Sequence, residues 1–136
     1  MMSYVRGAFA AMTILAPGLL AGGSAAAQDA APTVIPIQLS SYRFAPAKIE
    51  LVRGQPYVLR LHNVSGKGHD LSAKAFFQNV RLASGSESKV EYGRVPVEED
   101  QSVDVELTPQ TPGAYEMHCS RPFHSMQGMK GEIIVR

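Results

Sequence analysis

The sequence predicts an all-β protein, a Greek-key β-sandwich of about seven or eight strands with one short helix. Short stretches of alternating apolar and polar residues run along the chain, and clusters of Gly, Pro, Asn and Ser separate them. This spacing of strand and turn signals is typical of β-sandwiches. The chain has 136 residues and shows no internal repeat, so we expect a single domain of this kind.

The first half of the chain supplies the clearest strands. Residues 33–39 are rich in Val, Ile and Leu, and the Pro36 among them is tolerated only at a sheet edge or a bulge. Residues 48–53 alternate between apolar and polar side chains and end at a Gly-Gln-Pro turn. In residues 57–64 the large apolar side chains share one face, which leaves His62 on the polar face. We therefore expect His62 to lie at the surface.

The second half of the chain predicts shorter elements. Residues 72–77 predict a short helix whose two Phe side chains fill the core, and residues 89–92 predict a short strand. An acidic loop is expected at residues 96–101. Residues 102–107 alternate as a strand, and residues 131–136, which contain Ile-Ile-Val, predict the strand that closes the sheet.

Composition excludes several classes of function. The formal net charge is +1, from 13 Lys and Arg against 12 Asp and Glu, so no nucleic-acid or polybasic membrane role is expected. The chain contains one Cys, which has no partner for an internal disulfide. In an exported protein an odd cysteine is a liability, an intermolecular partner or a reactive thiol, and a role as a metal ligand resolves that oddity.

The N-terminus predicts export from the cytoplasm. Arg6 precedes an apolar, Ala-rich run at residues 7–22, and Ser-Ala-Ala-Ala follows at residues 24–27. That order is the pattern of a secretory signal peptide, here residues 1–27, with cleavage after Ala27. An uncleaved membrane anchor is the alternative, although Pro and Gly residues interrupt a run that is short for a span. We expect residues 28–136 to form a periplasmic domain that is not attached to a membrane.

One stretch near the C-terminus concentrates metal-binding chemistry. Cys119, His124 and Met129 place a thiolate, an imidazole and a thioether on one short loop, and His69 offers a second imidazole upstream. On a strand that ends at Cys119, alternation turns Cys119 inward and His118 away. A plane of two His and one Cys with a weak axial Met is the arrangement of blue-copper sites, because thiolate and thioether suit Cu(I) while imidazole also suits Cu(II).

This loop resembles that of the cupredoxins, the family of plastocyanin, azurin, pseudoazurin and amicyanin. Four residues separate Cys119 from His124, as in azurins, and four separate His124 from Met129, as in plastocyanins and pseudoazurins. Residues 68–70, Gly-His-Asp, resemble the Gly-His-Asn of azurins, with Asp where the family usually has Asn. The resemblance implies a Greek-key sandwich with one type 1 copper ion held by His69, Cys119 and His124, with Met129 axial.

Met126 is the rival of Met129 for the axial position. One residue separates Met126 from His124, which leaves little chain to bring its sulfur under the metal. Met129 lies just ahead of the final strand, and Gly128 permits the backbone to turn before it. We favour Met129, while apolar packing is the ordinary role of both methionines.

The resemblance also implies a function. A cupredoxin of this type carries single electrons by cycling between Cu(II) and Cu(I), and is not an enzyme. The expected partners are transient redox proteins, such as c-type cytochromes or a copper or haem oxidoreductase, which a monomer meets through an apolar patch around His124. Arg121, Lys130 and Lys67 lie nearby in the predicted fold and suggest an acidic partner face.

Two other functions are open at this point. A copper carrier or resistance protein would hold Cu(I) with the same residues but without redox turnover, and would lack a coloured Cu(II) form that reduces reversibly. An enzyme would use Cys119 as a nucleophile with a histidine as base. Its activity would not require a metal, and alkylation of the thiol would abolish it. The pair His118-Cys119 also occurs in copper nitrite reductases, which need further histidines and usually a second domain.

Overall fold

The computed structural model describes residues 30–136. Its strands are β1 Thr33–Ser40, β2 Arg43–Ala45, β3 Lys48–Leu51, β4 Tyr57–Asn63, β5 His69–Ser72, β6 Val80–Leu82, β7 Arg94–Val97, β8 Ser102–Pro109, β9 Gly113–His118 and β10 Lys130–Val135. A single-turn helix, α1, spans Lys74–Phe77, and two 3-10 helices span Glu87–Lys89 and Ser125–Gln127. The predicted signal peptide and its cleavage site lie outside these residues. Within residues 30–136, no helix has the length and apolar content that a membrane crossing requires.

The strands form two five-stranded sheets that pack face to face. The first sheet has the order β2-β1-β4-β8-β6 and the second has the order β3-β10-β9-β5-β7. Strand β1 runs parallel to β4, and β3 runs parallel to β10, while every other pair in the described residues is antiparallel. This arrangement confirms the predicted Greek-key β-sandwich.

The alternation of side chains along β4 shows how the core forms. Tyr57, Leu59 and Leu61 are buried between the sheets, whereas Arg60 and His62 face solvent. The His62 ring contacts the Ser102 hydroxyl on β8 at 2.6 Å. The prediction that His62 lies at the surface is therefore confirmed.

The predicted number of strands is too low, since the described residues contain ten. Strand β2 is one addition to the predicted set, because the chain reverses at Tyr42, whose φ is 60°, and returns alongside the end of β1. Strand β6 is the other addition. It has only three residues and no buried face, so the sequence shows no alternation there that would predict a strand. The Pro36 prediction is confirmed, because only β4 pairs with that part of β1.

The predicted strand at residues 89–92 is wrong. A 3-10 helix ends at Lys89, and a two-residue reversal follows at Tyr92 and Gly93, both of which have positive φ. The strand lies further on, at β7, because Val95 and Val97 are the residues whose side chains reach the core. The acidic loop consequently begins at Glu98 rather than at residue 96.

The helix predicted within residues 72–77 is confirmed as α1. Phe76 and Phe77 are both buried, and the Phe76 ring packs edge-on against the Tyr115 ring of β9 with 5.7 Å between ring centres. These aromatics fill one end of the core and leave the other end to the residues that follow β9.

Candidate metal centre

The order of the second sheet brings distant parts of the chain together at one end of the sandwich. His69 is the first residue of β5, and Cys119 directly follows the last residue of β9. The two strands are antiparallel neighbours whose last residues, Ser72 and His118, lie opposite each other, so His69 lies beside the chain that follows β9. Residues 119–129, the C-terminal loop, then carry His124 over the same end.

Three donor atoms converge there. The Nδ1 atoms of His69 and His124 are 3.1 Å apart, and the Cys119 Sγ lies 3.8 Å from the first and 3.5 Å from the second. At the metal-ligand distances of about 2.0–2.3 Å that imidazole and thiolate give to zinc, donors in a trigonal plane would be about 3.5–3.8 Å apart. The observed triangle is close to that size, so these side chains fit one metal ion.

Burial favours the metal-binding form of His69. This side chain is 1% exposed, and desolvation, followed by the positive charges of His124 and Arg121, lowers the pKa of its imidazole. The ring therefore stays neutral at lower pH than an exposed histidine and keeps a nitrogen lone pair for a metal.

Cys119 is fully buried as well. Burial raises the pKa of its thiol, while the backbone N–H groups of Asp70 and Arg121, which hydrogen-bond to the sulfur, act in the opposite direction. A buried thiol of this kind loses its proton when a metal cation replaces it.

The C-terminal loop is closed by its own backbone hydrogen bonds. The Cys119 N–H donates to the Met129 carbonyl at 3.1 Å, and the Met129 N–H donates to the His124 carbonyl at 3.2 Å. Gly128 has a φ of 100°, a left-handed conformation that ends the short 3-10 helix and turns the chain toward β10. The predicted role of Gly128 in this turn is confirmed.

The structure separates the two candidate axial methionines. Met129 is 0% exposed and lies at the base of the C-terminal loop, whereas Met126 is 80% exposed on its outer side. This placement agrees with Met129 as the axial residue, which stays a prediction.

Asp70 ties the two parts of the centre together. Its Oδ1 accepts a hydrogen bond from the Ser120 N–H at 2.8 Å, and its Oδ2 accepts one from the Ser120 hydroxyl at 2.5 Å. Its own N–H is one of the donors to the Cys119 sulfur. The side chain of Asp70 thus binds Ser120, and the backbone N–H of Asp70 binds the Cys119 sulfur.

A sequence model of the family described as "Cupredoxin-like domain" matches residues 10–135. The chain belongs to the cupredoxin-like family. Copper is the metal of this family, and the cluster of His69, Cys119 and His124 fits a type 1 copper site. No curated protein sequence matches the chain.

Solved structures of cupredoxins share the fold. Dithionite-reduced auracyanin from Roseiflexus castenholzii is 19% identical over 79% of this chain and 99% of its own, with a TM-score of 0.59. Auracyanin A, a "blue" copper protein from Chloroflexus aurantiacus, is 18% identical over 77% of this chain and 99% of its own, with a TM-score of 0.55. The McoA multicopper oxidase of Aquifex aeolicus is 16% identical over 78% of this chain and 30% of its own, with a TM-score of 0.58. At these identities the likeness shows the fold alone.

Asn63 supports this cupredoxin site without touching the donor atoms. Its buried amide donates to the carbonyls of Lys67, Val97 and Glu98 at 2.7, 3.0 and 3.1 Å, and its oxygen accepts from the backbone and hydroxyl of Ser65. These bonds fix the loop that leads into His69. Sequence reasoning missed Asn63, although its signal was present as a polar side chain at an inward position of β4.

Tyr42 is the second residue that sequence reasoning missed. Its ring meets the His124 ring edge-on, with 5.1 Å between ring centres. It lies at the reversal between β1 and β2, far from the C-terminal loop in sequence, and nothing in the local pattern placed it near a site.

Two exposed apolar side chains flank His124 in the C-terminal loop. Phe123 and Met126 are 70% and 80% exposed, so His124 lies within an apolar surface.

The charges around this surface are of both signs. Arg121 forms an ion pair with Glu98 at 3.1 Å, and the two side chains lie across Gly68. The acidic loop that begins at Glu98 therefore borders the site, and part of the basic rim expected from the sequence is neutralised.

Proposed function

We propose that this protein carries single electrons as a periplasmic type 1 copper protein. In this proposal His69, Cys119 and His124 bind copper strongly and Met129 is the weak axial ligand. One observation carries it: two imidazole nitrogens and one cysteine sulfur lie 3.1–3.8 Å apart, and the buried Met129 is hydrogen-bonded through its backbone to Cys119 and His124. Copper bound to such a set supplies a Cu(II)/Cu(I) couple.

The way the loop is held supports rapid electron transfer. Its two ends are joined by the Cys119–Met129 backbone hydrogen bond, and Asp70 secures Ser120 from the neighbouring strand. Side chains held on both sides resist rearrangement when the charge of the metal changes. A small rearrangement lowers the barrier to gaining or losing an electron.

The exposed apolar surface around His124 supports electron exchange through that ring. His124 is half-buried, with Phe123 and Met126 exposed beside it. A small apolar contact with charges at its border suits a brief encounter between redox proteins. The partners in this proposal are transient redox proteins, such as c-type cytochromes or a copper or haem oxidoreductase, and the protein acts as a monomer.

The number of donor clusters supports a carrier over an enzyme. The name multicopper oxidase implies several copper ions, and this chain corresponds to 30% of that neighbour. Within residues 30–136, one group of three metal-binding side chains converges. The auracyanin described as a "blue" copper protein has the same fold and matches this chain over 99% of its own length, which favours the same class of function.

A copper titration tests the proposal. The purified protein is mixed with Cu(II), and its visible absorption and electron paramagnetic resonance spectra are recorded before and after ascorbate. We expect an intense visible band that ascorbate bleaches and an oxidant restores. His69→Gln removes a proposed ligand and should abolish the band, while His62→Gln changes a surface histidine of β4 and should leave it intact. A colourless protein that binds Cu(I) alone would instead establish a copper carrier.

A further inference from the structure

The Asp70 carboxylate is a buried acidic group at the centre. The side chain is 2% exposed and both its oxygens accept hydrogen bonds from Ser120. Among residues 30–136, no nitrogen of a Lys, Arg or His side chain lies within 4.0 Å of these oxygens. The other buried polar residues of the described chain carry no formal negative charge.

The direction of the surrounding hydrogen bonds indicates an ionised carboxylate. The Ser120 N–H can only donate, so it donates to Oδ1. The Ser120 hydroxyl donates to Oδ2 at 2.5 Å, and its oxygen can at the same time accept from Arg94 Nη1, which lies 3.4 Å away. Both carboxylate oxygens therefore act as acceptors, which is the pattern of the charged form.

The position of this charge matters for a redox centre. Asp70 follows the proposed ligand His69, its N–H contacts the Cys119 sulfur, and its carboxylate binds the residue after Cys119. Reduction adds one negative charge to the centre. A fixed negative charge in a buried, weakly screened place disfavours that addition.

We propose that Asp70 is a positioning residue whose buried carboxylate, bound to Ser120, lowers the reduction potential of the copper centre. The inference rests on the proposed electron-carrier function and goes beyond it, because it assigns the control of the potential to a residue outside the ligand set. The guanidinium of Arg121 pairs with Glu98 at 3.1 Å and not with Asp70. Arg94 contacts the Ser120 hydroxyl and not the Asp70 carboxylate itself.

Two substitutions separate the effect of charge from that of loop packing. Asp70→Asn keeps the shape of the side chain and an oxygen for the Ser120 N–H but removes the charge. Ser120→Ala keeps the charge but removes one of the two donors that compensate it. If the charge controls the potential, the first substitution raises it and the second lowers it. If Asp70 only fixes the loop, both substitutions loosen the same contact and shift the potential in the same direction.

The experiment measures the midpoint potential and the visible spectrum of four copper-loaded proteins: the wild type, Asp70→Asn, Ser120→Ala and Asp104→Asn. Asp104 is the matched control, because it carries the same charge on β8 of the other sheet, where it pairs with Arg60 at 2.8 Å and its side chain is 42% exposed. Copper content and thermal unfolding of each variant report whether it is folded and loaded.

We expect a clear positive shift for Asp70→Asn, a smaller negative shift for Ser120→Ala and a much smaller change for Asp104→Asn. Equal shifts for the two Asp variants would overturn the inference, as would shifts of the same sign for Asp70→Asn and Ser120→Ala. If Asp70→Asn does not hold copper, a potential for Ser120→Ala at or above the wild-type value overturns it, and a lower one supports it. A wild type without a reversible couple would overturn the proposed function itself, which is a different and recognisable result.

Discussion

The two sides of the metal centre differ in how they are held. On the His69 side the chain is buried, lies in a strand and is fixed by Asp70 and by the hydrogen bonds of Asn63. On the His124 side the chain is a loop with a short 3-10 helix, and Phe123 and Met126 face solvent. In the proposed electron carrier, the buried side would hold the geometry of the site and the exposed side would contact redox partners.

Removing the sulfur that joins the two sides should have the largest effect. Cys119 contacts the Nδ1 atoms of both histidines, so Cys119→Ser removes the shared donor. The thiolate-to-copper absorption should disappear completely, because a serine hydroxyl is a hard donor with a very high pKa. Visible spectroscopy of the copper-loaded variant measures it. An intense band that persists in this variant would refute the assignment of Cys119.

The two methionines test the comparison directly, since Met129 lies on the buried side of the loop and Met126 on the exposed side. Met129→Gln should lower the reduction potential while copper stays bound, because an amide oxygen stabilises Cu(II) more than a thioether does. Met126→Gln serves as the matched control and should leave the potential nearly unchanged. Cyclic voltammetry of both variants measures it, and the reverse pattern would move the axial role to Met126.

Burial on the His69 side should also affect how the stability of the metal-free protein depends on pH. The folded state lowers the pKa of His69 below its usual value of 6.5, so below pH 6.5 the unfolded chain binds a proton that the folded chain does not. Stability present above pH 6.5 is therefore lost as the pH falls toward the lowered pKa. Thermal unfolding of the metal-free wild type and of His69→Gln measures it.

In that experiment His69→Gln should show a weaker loss of stability over the same pH range, because the perturbed group is absent. Identical pH profiles for the two proteins would mean that burial of His69 does not contribute to the pH dependence of stability.

The smallest expected effect on stability lies on the exposed side. Phe123 has a φ of 65°, a conformation that Asn tolerates better than Phe, so Phe123→Asn should change the free energy of unfolding by less than about 1 kcal/mol. Its copper spectrum should match the wild type. Electron self-exchange between reduced and oxidised copies should slow, because the contact loses apolar area, and nuclear magnetic resonance line broadening measures that rate. An unchanged rate would place the electron exchange elsewhere.

The fold class could be predicted from the sequence because alternation is a local signal. In β4 every second side chain is buried, and the pattern is visible without any knowledge of neighbours. Strand β6 and the reversal at Tyr92 were missed because they depend on pairing with β8 and on positive φ values, which alternation does not encode. Strand number and strand boundaries were accordingly less accurate than the class.

The candidate site likewise has residues that a local pattern predicts and residues that only contacts between distant parts of the chain reveal. Cys119, His124 and Met129 lie within a few residues of one another, so their chemistry was visible as a spacing. His69 came from the Gly-His-Asp resemblance, and the structure brings it to Cys119 through the β5–β9 pairing. The contact of Tyr42 with His124 joins positions far apart in sequence, and the chain between them carries no signal of it.

The hydrogen bonds of Asn63 have a consequence for genetic studies of the protein. Its amide holds three carbonyl oxygens in place, two of them from Val97 and Glu98 where β7 ends, yet no atom of Asn63 is among the donor atoms. A mutational screen scored by colour alone would therefore rank Asn63 with the ligands. A second score for protein abundance would separate variants that misplace His69 from variants that fail to accumulate.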